Sequence, residues 1–392
     1  MPWLSGKDFD RTHLREPTRF ITAEGVGRFS RRMPAGRSIV VLVRGMALSH
    51  GLPLARLSFD AAINQDVRGL IVRDVFDSGF VYYALLGRRA ALDIHIDRAA
   101  HGTARARETL YGHRIDWMPG LAEQRKIADF LDCEGERIGV ALETASALGR
   151  RAREDLLSRA AAAVRLDDAP RRRLGYAFSF EAGKTLNARA DTTGGELHPF
   201  IGTWHVRWGY VREHTYKYAP FTADERARLD LRVGDLLVNE GGAYAGRTGI
   251  VRRDMPGVFF QNHVHRLRAR EGADPSFHRW VLQVAVERGD LLLDSLGIGL
   301  PNLSAARLRA VRVPAPAIPD QRAIGELLDR HEARVLSAVD SGIALAGRLT
   351  AYRDSLIHEA VTGKLDVSRV SEAEMHERLH AAAEDRLDEV VA

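Results

Sequence analysis

The chain has 392 residues, 45% of them hydrophobic and 28% charged, which is material for two or three cores of ordinary size. Its single cysteine, Cys133, excludes a disulfide framework and a cysteine-based zinc site, and no run approaches the roughly 18 apolar residues of a membrane span. The start, MPWLSGKDFD, has no apolar stretch behind basic residues and so does not read as a signal peptide; a soluble, cytoplasmic protein is expected.

Net charge is +5, and only five of the 57 basic residues are lysines. Arginine offers a planar fork of donors suited to phosphate and guanine, although a GC-rich genome enriches arginine as well. Distribution separates the two explanations. Residues 1–119 hold 18 basic and 12 acidic groups and residues 171–315 hold 22 and 15, whereas 120–170 hold 8 and 10 and 316–392 hold 9 and 15. Two basic blocks alternate with two acidic ones, as expected of nucleic-acid-facing domains separated by connectors.

In residues 1–119, short β-rich runs such as SIVVLVRG (38–45) are punctuated by glycine, which predicts a mixed α/β domain. Behind Pro119, the residues Ile127, Leu131, Ile138, Ala141, Ala145, Leu148 and Ala152 recur at steps of three and four and predict a long helix over 120–170 with a coiled-coil seam. Residues 171–315 return to β-rich runs, among them DLLVNEGG at 235–242, with a helix expected over 276–287. Pro314, Pro316 and Pro319 then precede a second long helix within 316–366, striped by Ile324, Leu328, Val335, Ala338, Leu345, Leu349, Tyr352 and Leu356, and residues 367–392 form an acidic helical tail. Such stripes usually pack on their own domain. Here about 35–40 residues at 1.5 Å each make a rod of roughly 55–60 Å, so the two helices are expected to meet each other.

These elements are one unit written twice, at an offset of 197. Glu123-Gln124-Arg125 and Ile127 fall on Asp320-Gln321-Arg322 and Ile324, and Leu131-Asp132 falls on Leu328-Asp329. Far upstream, Ile39-Val40-Val41 matches Leu236-Leu237-Val238, Gly45 matches Gly242, and Phe80 matches Phe277. Towards the end the offset becomes 200, with Arg153 on Arg353 and Leu156-Leu157 on Leu356-Ile357.

The two copies of the helix start, Glu123-Gln124-Arg125-Lys126-Ile127-Ala128-Asp129-Phe130-Leu131-Asp132 and, weakened, Asp320-Gln321-Arg322-Ala323-Ile324-Gly325-Glu326-Leu327-Leu328-Asp329, carry a resemblance. So do Gly183-Lys184-Thr185, Gly234-Asp235-Leu236-Leu237-Val238 before Gly246-Arg247, Gln261-Asn262-His263 and Leu300-Pro301-Asn302-Leu303-Ser304, with Arg44-Gly45, Asn64-Gln65-Asp66-Val67 and His101-Gly102-Thr103 as first-copy counterparts. Across essentially the whole chain the sequence resembles the specificity subunit of type I restriction-modification enzymes. The resemblance implies an α+β fold: two mixed α/β target-recognition domains joined by two long antiparallel coiled-coil helices, as a pseudo-twofold internal repeat. It implies a non-catalytic subunit that recognises a bipartite double-stranded DNA target and docks two methyltransferase (modification) subunits and restriction/translocase subunits. S-adenosylmethionine, ATP and Mg are then expected in those partners and no cofactor in this chain. The alternative is an S-subunit-like scaffold in another DNA-defence assembly that holds partners without reading sequence. In one respect the chain departs from the pattern: residues 172–200 have no first-copy counterpart, so the first domain lacks its Gly-Lys-Thr region, through a misassigned start or a naturally short domain.

Several residue groups suggest other chemistry weakly. Gly183-Lys184-Thr185 resembles the end of a phosphate-binding loop, but Phe178 occupies the place of the required glycine, and a turn against the DNA backbone is the better expectation. Asp235 and Glu240 lack the lysine of a nuclease centre, Gly242 standing there instead, and no amino-methyltransferase Asn/Asp-Pro-Pro-aromatic tetrapeptide occurs. His198, His205, His214, His263 and His265 lie among Trp204, Trp208 and Tyr210, where packing or DNA contact is commoner than metal binding. Asn and Gln can bond adenine bidentately and Arg guanine. Arg44, Gln65, Asn239, Arg247, Gln261, Asn262 and Asn302, beside glycines or at the ends of β-runs, are therefore candidate base readers, and Asn64, His101, Thr103, Lys184 and Thr185 further DNA contacts. Leu131, Ile138, Leu148, Leu328, Val335 and Leu345 are expected on the partner-docking faces of the helices.

Overall fold

A computed structural model describes residues 1–392 apart from 11–12, 15–16, 18, 29, 99–103, 187–194, 292–301, 372, 376 and 379–392. The chain divides into two compact units: residues 1–147 with 341–392, and residues 148–340.

In the first unit the strand Ser38–Leu42 pairs antiparallel with Leu54–Arg56 on one side and Val67–Ile71 on the other. All five of its residues are buried, as its apolar, β-branched run requires. Trp3–Leu4 runs parallel to Ala61–Ile63, which pairs antiparallel with Arg31–Met33. Leu4, Val40, Leu42, Leu54 and Val67 meet in one core. The helix Ser78–Leu86 starts where Asp77 accepts a hydrogen bond from the Phe80 amide at 2.9 Å.

The second unit repeats this plan. Leu236–Asn239 lies between Thr248–Ile250 and Val264–Ala269, and Glu196–Ile201 runs parallel to Phe259–Phe260. The helix Pro275–Glu287 is capped by Asp274, whose carboxylate accepts from the Phe277 amide at 2.9 Å. Even single backbone bonds recur at the offset of 197. Asn64 N donates to Leu4 O as Gln261 N does to Ile201 O, Val43 N to Asp66 O as Glu240 N to His263 O, and Ala106 N to Val43 O as Leu303 N to Glu240 O. The segment without a first-copy counterpart supplies the strand Phe178–Ala182, which adds itself to the outer side of Val264–Ala269.

The long helices are Leu121–Arg165, 45 residues, and Ile318–Val361, 44 residues. At 1.5 Å per residue they measure about 66–68 Å, longer than the sequence pattern suggested. Each passes from one unit to the other along its length. In the first unit Ile127 and Leu131 pack with Phe80 and Tyr83 of the preceding helix and with Leu356, Ile357 and Ala360. In the second, Leu156, Ala160 and Val164 join Phe277, Trp280 and Leu328. The apolar stripes thus serve the adjoining domain and the other helix at once.

Candidate nucleic-acid interface

The repeated Glu/Asp-Gln-Arg…Leu-Asp segment can be read residue by residue. Gln124 is buried; its Oε1 accepts from the Asp77 amide at 2.9 Å and its Nε2 donates to Pro119 O at 2.7 Å. Gln321 does the same, with Asp274 N and Pro316 O both at 2.9 Å, and reaches Gly272 O at 3.1 Å. One amide therefore fixes both the start of the long helix and the cap of the domain helix. The closing aspartate completes the joint. Asp132 accepts from the Tyr83 hydroxyl at 2.7 Å and from Arg56, and Asp329 from Trp280 Nε1 at 3.0 Å, Ser276 Oγ at 2.7 Å and the buried Arg279 at 2.6 Å. Desolvation pushes the Asp329 carboxyl up, but the Arg279 guanidinium and the hydrogen bonds from Ser276 and Trp280 together outweigh it and hold the group below the usual aspartate range. Both segments are docking joints between a long helix and its domain helix.

The polar candidates gather at one end of each central sheet. In the first unit the chain leaves Ser38–Leu42 through Arg44–Gly45, which pairs antiparallel with Ala104–Ala106, and Asn64 and Gln65 lead into the next strand. Arg44 and Gln65 are exposed. Asn64 is half-buried and turned inward, accepting from the Asp66 amide and donating to its carboxylate, both at 3.1 Å. His101 and Thr103 lie outside the described residues. In the second unit Gly241 bridges antiparallel to the exposed Asn302, and Gln261 and Asn262 precede Val264–Ala269. Glu240 stands among them, 3.6 Å from His263 Nδ1.

Three candidates are drawn into the fold instead. Lys184 donates to Pro220 O at 2.6 Å and pairs with Glu225 at 2.8 Å, so its charge is already neutralised; only Thr185 beside it faces solvent. Gly183 is required by close approach, since a Cβ there would lie 2.2 Å from the Gln261 carbonyl oxygen. Asn239 is wholly buried and donates to Thr203 O at 3.0 Å. Arg247 stacks 4.3 Å over the Tyr244 ring and lines a cavity of about 400 Å³ with Arg207, Gln283, Glu332 and Leu156. Burial, with Arg207 alongside, lowers its pKa. A cavity of about 520 Å³ in the first unit is lined at matching positions by Leu86, Gly135, Ile138 and Leu356.

The docking candidates divide as well. Leu131, Ile138 and Leu328 are at most 2% exposed inside their own units and belong to no open face; burial in the joint with the domain helix replaces the expected role. Val335 and Leu345 are half-buried, and Leu148 is 59% exposed.

The five histidines form no centre. His205 is buried, with Nδ1 accepting from the Gly202 amide at 3.0 Å and its ring stacked on Tyr216. Burial lowers the pKa of His205, His265 and His278. Among the described residues no group of three or more His, Cys, Asp or Glu is arranged to hold a metal ion, and no helix is long and apolar enough to cross a membrane.

One residue escaped the motif reading. Arg105 lies opposite Arg44, at the position equivalent to Asn302, and applying the offset of 197 to Asn302 would have found it.

Residues 171–339 match the profile of the type I restriction modification DNA specificity domain. The chain is similar to the specificity subunit of the type I restriction enzymes EcoR124I/EcoR124II of Escherichia coli, 28% identical over 134 residues. That match spans 34% of this chain and about a third, 33%, of the relative. Among solved structures, a chain from work on complex assembly and conformational transition of the type I R-M system superposes with a TM-score of 0.68 at 14% identity, over 93% of this chain and 92% of that one. The HsdS subunit of Thermoanaerobacter tengcongensis aligns at 16% identity and a TM-score of 0.48, over 93% and 90% of the two chains. The first of these shows a shared fold. Residues 171–339 are thus similar to a type I restriction modification DNA specificity domain, and the first unit repeats its strand plan and closes on the same docking segment.

Proposed function

We propose that the chain is the DNA sequence-specificity subunit of a type I restriction-modification enzyme, reading a bipartite target and docking methyltransferase and restriction/translocase subunits while doing no chemistry itself. The carrying observation is that a polar, solvent-facing constellation recurs at matched registers at the same end of both central sheets, in two segments of net positive charge. Exposed Arg44, Gln65, Thr185 and Asn302, with the half-buried Gln261 and Asn262, are the base- and backbone-contacting groups of this reading. Surrounding arginines fix register on the phosphates, and amides and guanidinium groups discriminate base edges.

Partners attach, in this proposal, through what the long helices leave open. Val140, Leu148, Leu327 and Ile343 are 49–66% exposed on helices whose other large apolar side chains are buried or half-buried. S-adenosylmethionine, ATP and Mg belong to the docked subunits. The test is selection from a random duplex library by the full chain assembled with its methyltransferase subunits. Two short fixed sequences at a constant separation are expected. Absence of any enriched sequence would leave the scaffold alternative standing.

A further inference from the structure

Two arginines stand side by side in the first unit with no ion-pair partner among the described residues. Arg105 is directly opposite Arg44 in the antiparallel pairing of Ala104–Ala106 with Arg44–Gly45. Residues so opposed share a face with their Cβ atoms roughly 5 Å apart, and like charges there repel. Both side chains are exposed, while Ala104 and Ala106 point into the core. Among the described residues neither has an ion pair, although nearby arginines do: Arg107 with Asp97, Arg32 with Asp60 and Arg37 with Asp74. What sets Arg44 and Arg105 apart is that two guanidinium groups are directly opposed on one exposed face, an arrangement suited to an anionic or acceptor-rich ligand.

The repeat says more. At the same register of the second unit, Gly241 faces Asn302, so an uncharged amide stands where the first unit has two guanidinium groups. The flanking positions are amides in both units, Asn64 and Gln65 in one and Gln261 and Asn262 in the other. A role in phosphate neutralisation would call for charge in both copies. A role in base reading allows the copies to differ, because guanine presents two acceptors in the major groove and adenine an acceptor beside a donor.

We infer that Arg44 and Arg105 are specificity-determining residues that read guanine in one half of the target, while Asn302 at the equivalent position reads adenine in the other half. This rests on the function proposed above and assigns base chemistry to its two readers. The experiment is library selection and methylation mapping with the full chain in its assembled complex, comparing the unaltered protein with Arg105→Ala, Arg44→Ala, Arg105→Asn and Asn302→Arg. Each alanine change should weaken binding to the selected target by roughly 5- to 150-fold and relax G·C pairs in one half only. Arg105→Asn should move that half towards A·T, and Asn302→Arg should move the other half towards G·C. Equal loss on target and random DNA would make the pair a phosphate contact and overturn the inference, as would changes in both halves or an unaltered target. An unaltered complex that selects no sequence would overturn the proposed function itself, a result distinct from those three.

Discussion

Gln321 joins the second long helix to its recognition domain through one side chain, which makes the joint measurable. Replacing it by alanine removes the hydrogen bonds to Asp274 N, Pro316 O and Gly272 O from a side chain that is 1% exposed. Each lost bond costs about 1 kcal/mol net, and a stranded buried amide about 1–3 kcal/mol. Water reaching the two carbonyls recovers part of this, so Gln321→Ala should cost about 2–4 kcal/mol. For a unit of this size that lowers Tm by roughly 4–16 °C. Calorimetry and urea unfolding of the full chain would read it, with Arg322→Ala as the control. Arg322 is exposed in the same turn, and its loss should stay within about 0.5 kcal/mol. If Gln321→Ala destabilises no more than that control, the amide does not hold the joint. Gln124→Ala, with two of these three contacts in the first unit, should destabilise in the same way but by less.

Gly183→Ala places a methyl group 2.2 Å from the Gln261 carbonyl oxygen and should destabilise by about 1–3 kcal/mol in denaturant titration, since neither backbone segment can yield cheaply. Leu131→Asp buries a charge in the joint and should unfold the first unit by circular dichroism. Leu148→Asp, at an exposed site, should leave the spectrum unchanged while mass measurement of the complex shows a lost partner copy. Stability should also fall in mild acid. Burial depresses His205, His265 and His278 below the ordinary histidine value, so beneath about pH 6.5 the unfolded chain binds protons that the folded chain refuses. The loss begins as pH drops through 6.5 and ends below the depressed values; a Tm unchanged between pH 7.5 and 5.5 would contradict it.

The repeat was legible because both copies must solve the same local problems. An aspartate cap on the domain helix, a glutamine to hold that cap and an aspartate to receive Tyr83 or Trp280 all recur at one spacing. Periodicity also marked the long helices, but it identifies an apolar face and not the neighbour that covers it. That is why Leu131, Ile138 and Leu328 looked available for docking although they are buried. The candidate reading sites were less legible for a related reason. A polar residue beside a glycine at a strand end either reaches solvent or satisfies the local backbone, and both outcomes have the same sequence signature. Arg44 and Gln65 took the first course, and Asn64, Asn239 and Lys184 the second.

The course of the chain supports a last prediction, about the gap between the half-sequences. The unit boundary is crossed twice, between residues 147 and 148 and between 340 and 341, and both crossings fall within the long helices. Inserting seven residues after Ala145 and seven after Gly342 lengthens both connections equally, by about 10 Å of helix each. Seven residues are nearly two full turns, so the apolar stripes stay within about 20° of their present facing and the joints at either end keep their partners. If the helices set the separation of the two readers, the unspecified gap should grow by about three base pairs at 3.4 Å each, with both half-sequences retained. Methylation mapping reads the gap directly. Two-residue insertions at the same places turn each stripe by about 200° and should abolish assembly. An unchanged gap in a heptad-lengthened complex that still methylates both half-sequences would show that something other than the helices fixes the spacing.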